Sequence, residues 1–127
     1  MAECLFCHEI KEGLIFDQSA CGLWVARWDG YPLAPGHFEI VSRRHVGTTR
    51  ELTAAERGTM MTYGEEVKKI AERSRAKKPP AWTIGINDGP AAGQTVPHLH
   101  MHYIPRWKGD VKNPRGGIRN IFDHNTY

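Results

Sequence analysis

Between Pro97 and Arg106 the chain reads PHLHMHYIPR, so His98, His100 and His102 are separated from one another by single apolar residues. Three of the seven histidines fall within five positions. On a strand, residues i, i+2 and i+4 share a face, which puts the three imidazoles on one side and Leu99, Met101 and Tyr103 on the other. Such alternation suits a strand whose apolar side meets a core and whose imidazoles face a cleft. Imidazoles gathered on one face are costly to bury without partners and odd in open solvent, so a purely structural role is the weaker explanation. Two chemistries fit. Three imidazoles can hold a catalytic zinc, though such sites commonly add a carboxylate, and near this strand Asp88 and Asp110 are the carboxylates on offer. Alternatively, a neutral imidazole attacks an electrophile while its neighbours orient it and move protons. Histidine suits attack on phosphorus because it is substantially neutral near pH 7.

The stretch before the histidines favours phosphorus. Gly89, Pro90, Ala91, Ala92 and Gly93 are small, which lets backbone N–H groups approach an anion, and Gln94 and Thr95 add neutral donors. A flexible connecting loop accounts for the glycines alone, less well for a loop leading straight into three histidines. A second chemical feature lies at the other end of the chain, Cys4-x-x-Cys7. Three cysteines is an odd number, and this spacing points to metal or thiol chemistry in a reducing, cytoplasmic setting more than to a structural disulfide. Cys21 reads as an ordinary core or strand-end thiol.

The elements that must carry these groups are legible in outline. GLIFDQ and LWVARW are short β-prone runs around SACG, a hairpin arrangement. GHFEIVSRRH follows a Pro-Gly turn, with Phe38, Ile40 and Ser42 alternating against Glu39, Val41 and Arg43, and reads as a third strand. Thr53-x-x-Glu56 is a capping-box spacing, and beyond it Met60, Tyr63, Val67, Ile70 and Ala71 recur at threes and fours. That is an amphipathic helix, locally weakened by Gly58 and Gly64 and expected to end at Pro79-Pro80. WTIGIN supplies a fourth strand and the histidine run a fifth. With one long helix, short connections and short helical or C-terminal segments, the expected fold is α+β, an antiparallel sheet of about five strands. A doubly wound parallel sheet needs more crossover helices.

At 127 residues the chain is the size of a single domain, taken here as residues 1–127, able to bury about two-thirds of its unfolded surface without disulfides. The charged, short-run start MAECLFCHEIKEG resembles neither a secretory signal nor a membrane anchor. The net charge of +3 is unevenly placed: beyond residue 103, five Lys/Arg (Arg106, Lys108, Lys112, Arg115, Arg119) stand against Asp110 and Asp123, and the rest balances. This basic tail, from about residue 105, is either a solvated terminus or an electrostatic guide for an anionic ligand such as a polyphosphate. The lack of a basic helix, zinc-finger pair or aromatic platform argues against nucleic acid.

HLHMHYI matches the His-x-His-x-His pattern, followed by two apolar residues, that names the histidine triad (HIT) superfamily. The resemblance extends to CLFC, PLAPGH, SRRHV, NDGPAAGQTVPHLHMHYIPRW and GDVKNPRGGIR, roughly residues 3 to 120. DGPAAGQTV together with HYIPR resembles the fragile-histidine-triad, dinucleoside polyphosphate hydrolase branch more than the phosphoramidase branch. The resemblance implies a HIT-like fold and a nucleotidyl hydrolase or transferase, with His100 as nucleophile toward the α-phosphate of an adenine nucleotide. His102 would assist the leaving group and His98 would orient the pair. Asp29 would contact the ribose, His37 would support the cluster, and Asn87, Gln94 and Thr95 would contact phosphate or leaving group. It implies a homodimer and no metal in the chemical step. Related proteins bind a structural zinc through positions that here are Cys4, Cys7, His45 and His98, a sensible tetrahedral set; His8 would crowd Cys7. A purine nucleoside phosphoramidase and a nucleotide-binding regulatory module are the alternatives.

Overall fold

The structure is a computed structural model that describes residues 4–122, so Asp123 and the chain's last residues lie outside it. It is α+β, as expected: a five-stranded antiparallel sheet with helices on both faces. Helix α1 spans Leu5–Glu12, strand β1 Asp17–Gln18, β2 Trp24–Trp28, β3 Phe38–Ser42, helix α2 Ala54–Glu72, β4 Ala81–Gly85 and β5 His100–Arg106. Strand order is β1-β2-β3-β5-β4, so β5 sits inside the sheet between β3 and β4. Its register sets Glu39 opposite His102 and Val41 opposite His100.

One face of the sheet packs on α2. Trp24, Ala26, Phe38, Ile40, Leu99, Met101 and Tyr103 join Tyr63, Val67 and Ala71 in a single buried cluster. The capping box forms: Thr53 accepts from the Glu56 backbone N–H, and the Glu56 carboxylate accepts from that of Thr53 at 2.8 Å. The helix runs through Gly58 and Gly64, and Gly64 turns out to be required. A Cβ there would lie 1.7 Å from the Tyr103 hydroxyl oxygen, so the missing side chain is what lets β5 sit against α2.

Two expectations need correction, and one of the expected short helical segments finds its place. Helix α2 ends at Glu72, not at the prolines; Arg73, Ser74 and Ala76 N–H groups close on Ile70 and Ala71 carbonyls, and the chain then turns through Lys77 and Lys78 at positive φ. A second helix, α1, covers the other sheet face. Its signals were present: Cys4 caps it, Phe6 and Ile10 are four apart, and Gly13 adopts the left-handed conformation (φ 72°) that ends it. At eight residues it depends on packing Phe6 against Val25 and Val41. Finally, β5 begins at His100, so His98 lies just before the strand, its N–H bonded to Val96 O. Cys21 is exposed in the turn between β1 and β2. Among the described residues no helix is long and apolar enough to cross a membrane.

Candidate active site and metal centre

The α1 face of the sheet is where the chemical residues gather, in two groups that share the histidine row. At its start, His98 is fully buried and its Nε2 lies 2.6 Å from the Ser42 carbonyl oxygen. A carbonyl can only accept, so Nε2 carries the proton and Nδ1 presents a lone pair. That lone pair points at Cys4 Sγ (3.4 Å), Cys7 Sγ (3.5 Å) and His45 Nδ1 (3.2 Å). Cys7 Sγ also lies 3.2 Å from His45 Nδ1, and the four donor atoms all fall within 4.8 Å of one another. Helix α1 sets the two thiols one turn apart. His45 is delivered by the segment after β3, anchored by Arg43 on Gly22 O (2.8 Å), Arg44 on Glu56 (2.8 Å) and Val46 O on Leu99 N–H (2.8 Å).

Two sulfurs, two imidazole nitrogens and a carbonyl fixing the tautomer of one imidazole form a donor set suited to a four-coordinate zinc. Burial and the neighbouring Cys4 sulfur push the Cys7 thiol up, an effect that a cation between them reverses. His8 is exposed and is not one of the four donors. The three strand histidines do not converge on one point: the His98 donor belongs with the cysteines, whereas His100 and His102 fall beside Glu39. A single metal cage built from all three is therefore not the geometry found.

His100 donates Nδ1–H to the His98 carbonyl at 2.8 Å, leaving its Nε2 lone pair without a hydrogen-bond partner among the described residues. Burial lowers its basicity, keeping the ring neutral near pH 7. The Phe6 ring meets it edge-on at 4.9 Å and fixes its plane. His102 follows, its ring centroid 5.1 Å away. Its Nδ1 lies 3.0 Å from His37 Nε2 and 3.7 Å from Asp29 Oδ2. Burial, with the neighbouring His100 and His37, brings His102 down to about 4 against the pull of Asp29. Asp29 itself accepts from the Tyr31 N–H at 2.7 Å.

These groups border a pocket of about 280 Å³ lined by Leu5, Phe6, Arg27, Asp29, Glu39, Thr95, His100 and His102 among others. A larger concavity, about 620 Å³, lies between β4 and the tail around Trp82, Trp107, Lys108 and Lys112. Its titratable pair, Arg106 and Asp110, is closed on itself at 2.7 Å, so size does not mark the chemistry here.

The expected site residues thus divide. His100, His102, Asp29 and Thr95 line the pocket with His37 bonded behind His102, and Cys4, Cys7 and His45 gather around Nδ1 of His98. Gln94 faces the loop rather than the pocket: its amide donates to Gly47 O (2.8 Å) and Val96 O (3.1 Å) and accepts from Gly89 N–H (2.9 Å). Asn87 is exposed and outside the pocket lining. Two residues that sequence reasoning passed over are central. Glu39 is buried beside His102, and Arg27 links it to Glu9 of α1. The available signal was an acid flanked by Phe38 and Ile40 in a strand, but its meaning depends on the β3–β5 register.

Comparison with known proteins accords with this geometry. Residues 8–109 match the HIT domain. Over 79 residues the chain is 40% identical to the asymmetrical bis(5'-nucleosyl)-tetraphosphatase of Schizosaccharomyces pombe, covering 62% of this chain and 42% of that one. It is 39% identical over 81 residues to a bifunctional bis(5'-adenosyl)-triphosphatase/adenylylsulfatase of Arabidopsis thaliana, covering 64% and 44%. The chain therefore spans less than half the length of these two relatives. The fold superposes on a zinc-bound histidine triad family protein from Mycobacterium smegmatis with a TM-score of 0.74 at 26% identity, over 85% of this chain and 78% of that one. The chain is a member of the histidine triad (HIT) family.

Proposed function

We propose that this protein is a nucleotidyl hydrolase or transferase that acts at the α-phosphate of a dinucleoside polyphosphate through a nucleotidyl-histidine intermediate on His100. The observation that carries the reading is the His100 ring: Nδ1–H is committed to a carbonyl at 2.8 Å, so Nε2 offers its lone pair at the wall of a pocket. Attack forms the phosphorus–nitrogen bond and expels the distal nucleotide, and His102 protonates the departing bridging oxygen. Water or phosphate then attacks the same phosphorus and restores the imidazole. The relatives that act on bis-nucleosyl tetra- and triphosphates support the substrate class, and the adenylylsulfatase activity in one name fits attack at an α-phosphate whatever leaves it.

Cys4, Cys7, His45 and His98 hold a structural zinc in this reading. The metal would pin α1 to the segment carrying His98, whose carbonyl orients the nucleophile, and it takes no part in the chemical step. A homodimer in the cytoplasm and an adenine base complete the proposal.

The test is product analysis after incubation with bis(5'-adenosyl) tri- and tetraphosphate, adenylyl sulfate and an adenosine phosphoramidate, with and without phosphate. Release of AMP or ADP from the dinucleotides by the wild type, absent in His100→Ala, supports the reading. Turnover of the phosphoramidate alone replaces the substrate class, and full activity of His100→Ala removes the nucleophile.

A further inference from the structure

Glu39 occupies the middle of the chemical face. Its β3 position pairs in register with His102, and its two oxygens have different partners. Oε1 accepts from Arg27, while Oε2 lies 3.3 Å from His102 Nδ1 and 4.0 Å from His100 Nε2. Arg27 in turn holds both Glu9 oxygens, at 2.5 and 3.0 Å. The charged and titratable groups around Glu39 are thus Glu9 of α1 acting through Arg27, Arg27 of β2, Asp29 just beyond it, His37 just before β3, and His100 and His102 of β5. Arg27 bonds Glu9 and Glu39 but not Asp29, in a site where Glu39 is 3% exposed. An unpaired buried carboxylate charge is unfavourable, so one of these acids is best protonated. Against its own burial, the Tyr31 N–H, Glu39 and the His37 imidazole hold Asp29 below the usual carboxylate range. Burial, with Asp29 alongside, pushes Glu39 up to about 7 despite Arg27.

The hydrogen-bond directions agree. The Leu33 N–H can only donate, so His37 Nδ1, 3.1 Å away, is the acceptor and its proton sits on Nε2. That N–H reaches Asp29 Oδ2 at 3.4 Å and His102 Nδ1 at 3.0 Å. An ionised Glu39 would set lone pair against lone pair at His102 Nδ1. A protonated Glu39 has two acceptors, Asp29, with which it shares a hydrogen bond, and His102 Nδ1 at 3.3 Å; donation to His102 leaves the His37 N–H for Asp29 and fixes the proton of His102 on Nε2.

We infer that Glu39 is a positioning residue that holds the proton for leaving-group departure and passes it through His102, a role that rests on the nucleotidyl-histidine reading above. When the His100 Nε2 lone pair bonds to phosphorus, the bond to the bridging oxygen breaks and its electrons go to that oxygen. His102 Nε2–H protonates it, and the Glu39 O–H proton moves to His102 Nδ1. The new Glu39 carboxylate then faces the cationic nucleotidyl-imidazolium on His100. In the second step water bonds to phosphorus, and the phosphorus–nitrogen electrons return to His100. The water proton goes to His102 Nε2, and the Nδ1 proton returns to Glu39.

The experiment compares wild type and Glu39→Gln on adenosine 5'-phosphate esters with phenol and alcohol leaving groups of graded basicity. With the most acidic phenol the two enzymes should differ little; with the most basic alcohol the variant should fall by about 100-fold or more. The wild type should show an alkaline fall of kcat/KM with basic leaving groups, and that fall should vanish in the variant. A uniform loss across the series, with an unchanged pH profile, overturns the relay and leaves a structural role. Rapid quench of the wild type separates the two levels: a nucleotidyl-protein adduct with matching leaving-group slopes rejects the relay alone, whereas no adduct rejects the parent reading and the relay with it. If the variant does not fold, 13C NMR of the Glu39 carboxyl in the wild type decides. Titration near neutrality supports the relay, and a carboxylate ionised throughout pH 5 to 8 overturns it.

Discussion

The histidine row has a sulfur end and a carboxylate end, and the same side chain does different work at each. His98 and His100 lie two residues apart, both buried, both with one ring nitrogen committed to a backbone carbonyl. What differs is which nitrogen is committed. His98 donates from Nε2 and so presents Nδ1 to Cys4, Cys7 and His45. His100 donates from Nδ1 and so presents Nε2 beside Glu39 at the pocket. A carbonyl oxygen thus assigns each imidazole its tautomer, and the tautomer sets which lone pair faces the thiols and which faces the pocket.

The sharpest way to break this contrast is to disable each end in turn. His100→Ala should lower kcat/KM by about 10⁴- to 10⁶-fold with the metal content unchanged, as read by steady-state kinetics and metal analysis. Cys7→Ser should do the reverse, emptying the metal site while a folded fraction keeps the nucleophile; equal loss of turnover and zinc in both variants would erase the distinction between the ends. At free zinc a hundredfold above its dissociation constant, the wild type should gain about 2.7 kcal/mol over chelated protein in urea unfolding, and His100→Ala should gain the same.

Smaller effects test what aligns the row from behind. Gly64→Ala sets a Cβ 1.7 Å from the Tyr103 hydroxyl oxygen, so β5 or α2 must shift. A loss of about 1–3 kcal/mol is expected, with a fall in turnover as His100 and His102 move together. The smallest effect is a pH dependence with opposing signs. His102, held near 4 from a usual 6.5, contributes stability that is full above 6.5 and is lost as pH falls toward 4. Glu39, raised to about 7 from 4.5, contributes stability that is full below 4.5 and is lost as pH rises through 7. Denaturation of Glu39→Gln beside the wild type should therefore show the variant gaining relative stability from pH 4.5 to 7. A constant difference across that window would mean Glu39 is ionised in the folded protein.

Much of this was legible in the residues. Alternation around His98 to Tyr103 assigned faces, the Thr53-x-x-Glu56 spacing placed the start of α2, and Cys4-x-x-Cys7 marked a metal candidate, because each is a local pattern with a local physical cause. The errors came where local signals compete with packing. The start of α1 is too short to declare itself by periodicity and stands because Phe6 has Val25 and Val41 to cover. Gly64 read as a weak point in a helix until Tyr103 was found against it.

By itself, then, the sequence determined the periods: which residues share a strand face or a helix stripe, where caps and turns fall, and which side chains carry chemistry. The tertiary structure decided the pairings. Glu39 became a partner of His102 only through the antiparallel register of β3 on β5, and Arg27 reached both Glu39 and Glu9 only because α1 folds back across the sheet. His98 was divided from His100 by which ring nitrogen each turns to a carbonyl. Period is a property of a few consecutive residues, whereas proton positions and charge balance depend on groups far apart in the chain. A buried carboxylate among imidazoles acquires its chemistry from those neighbours.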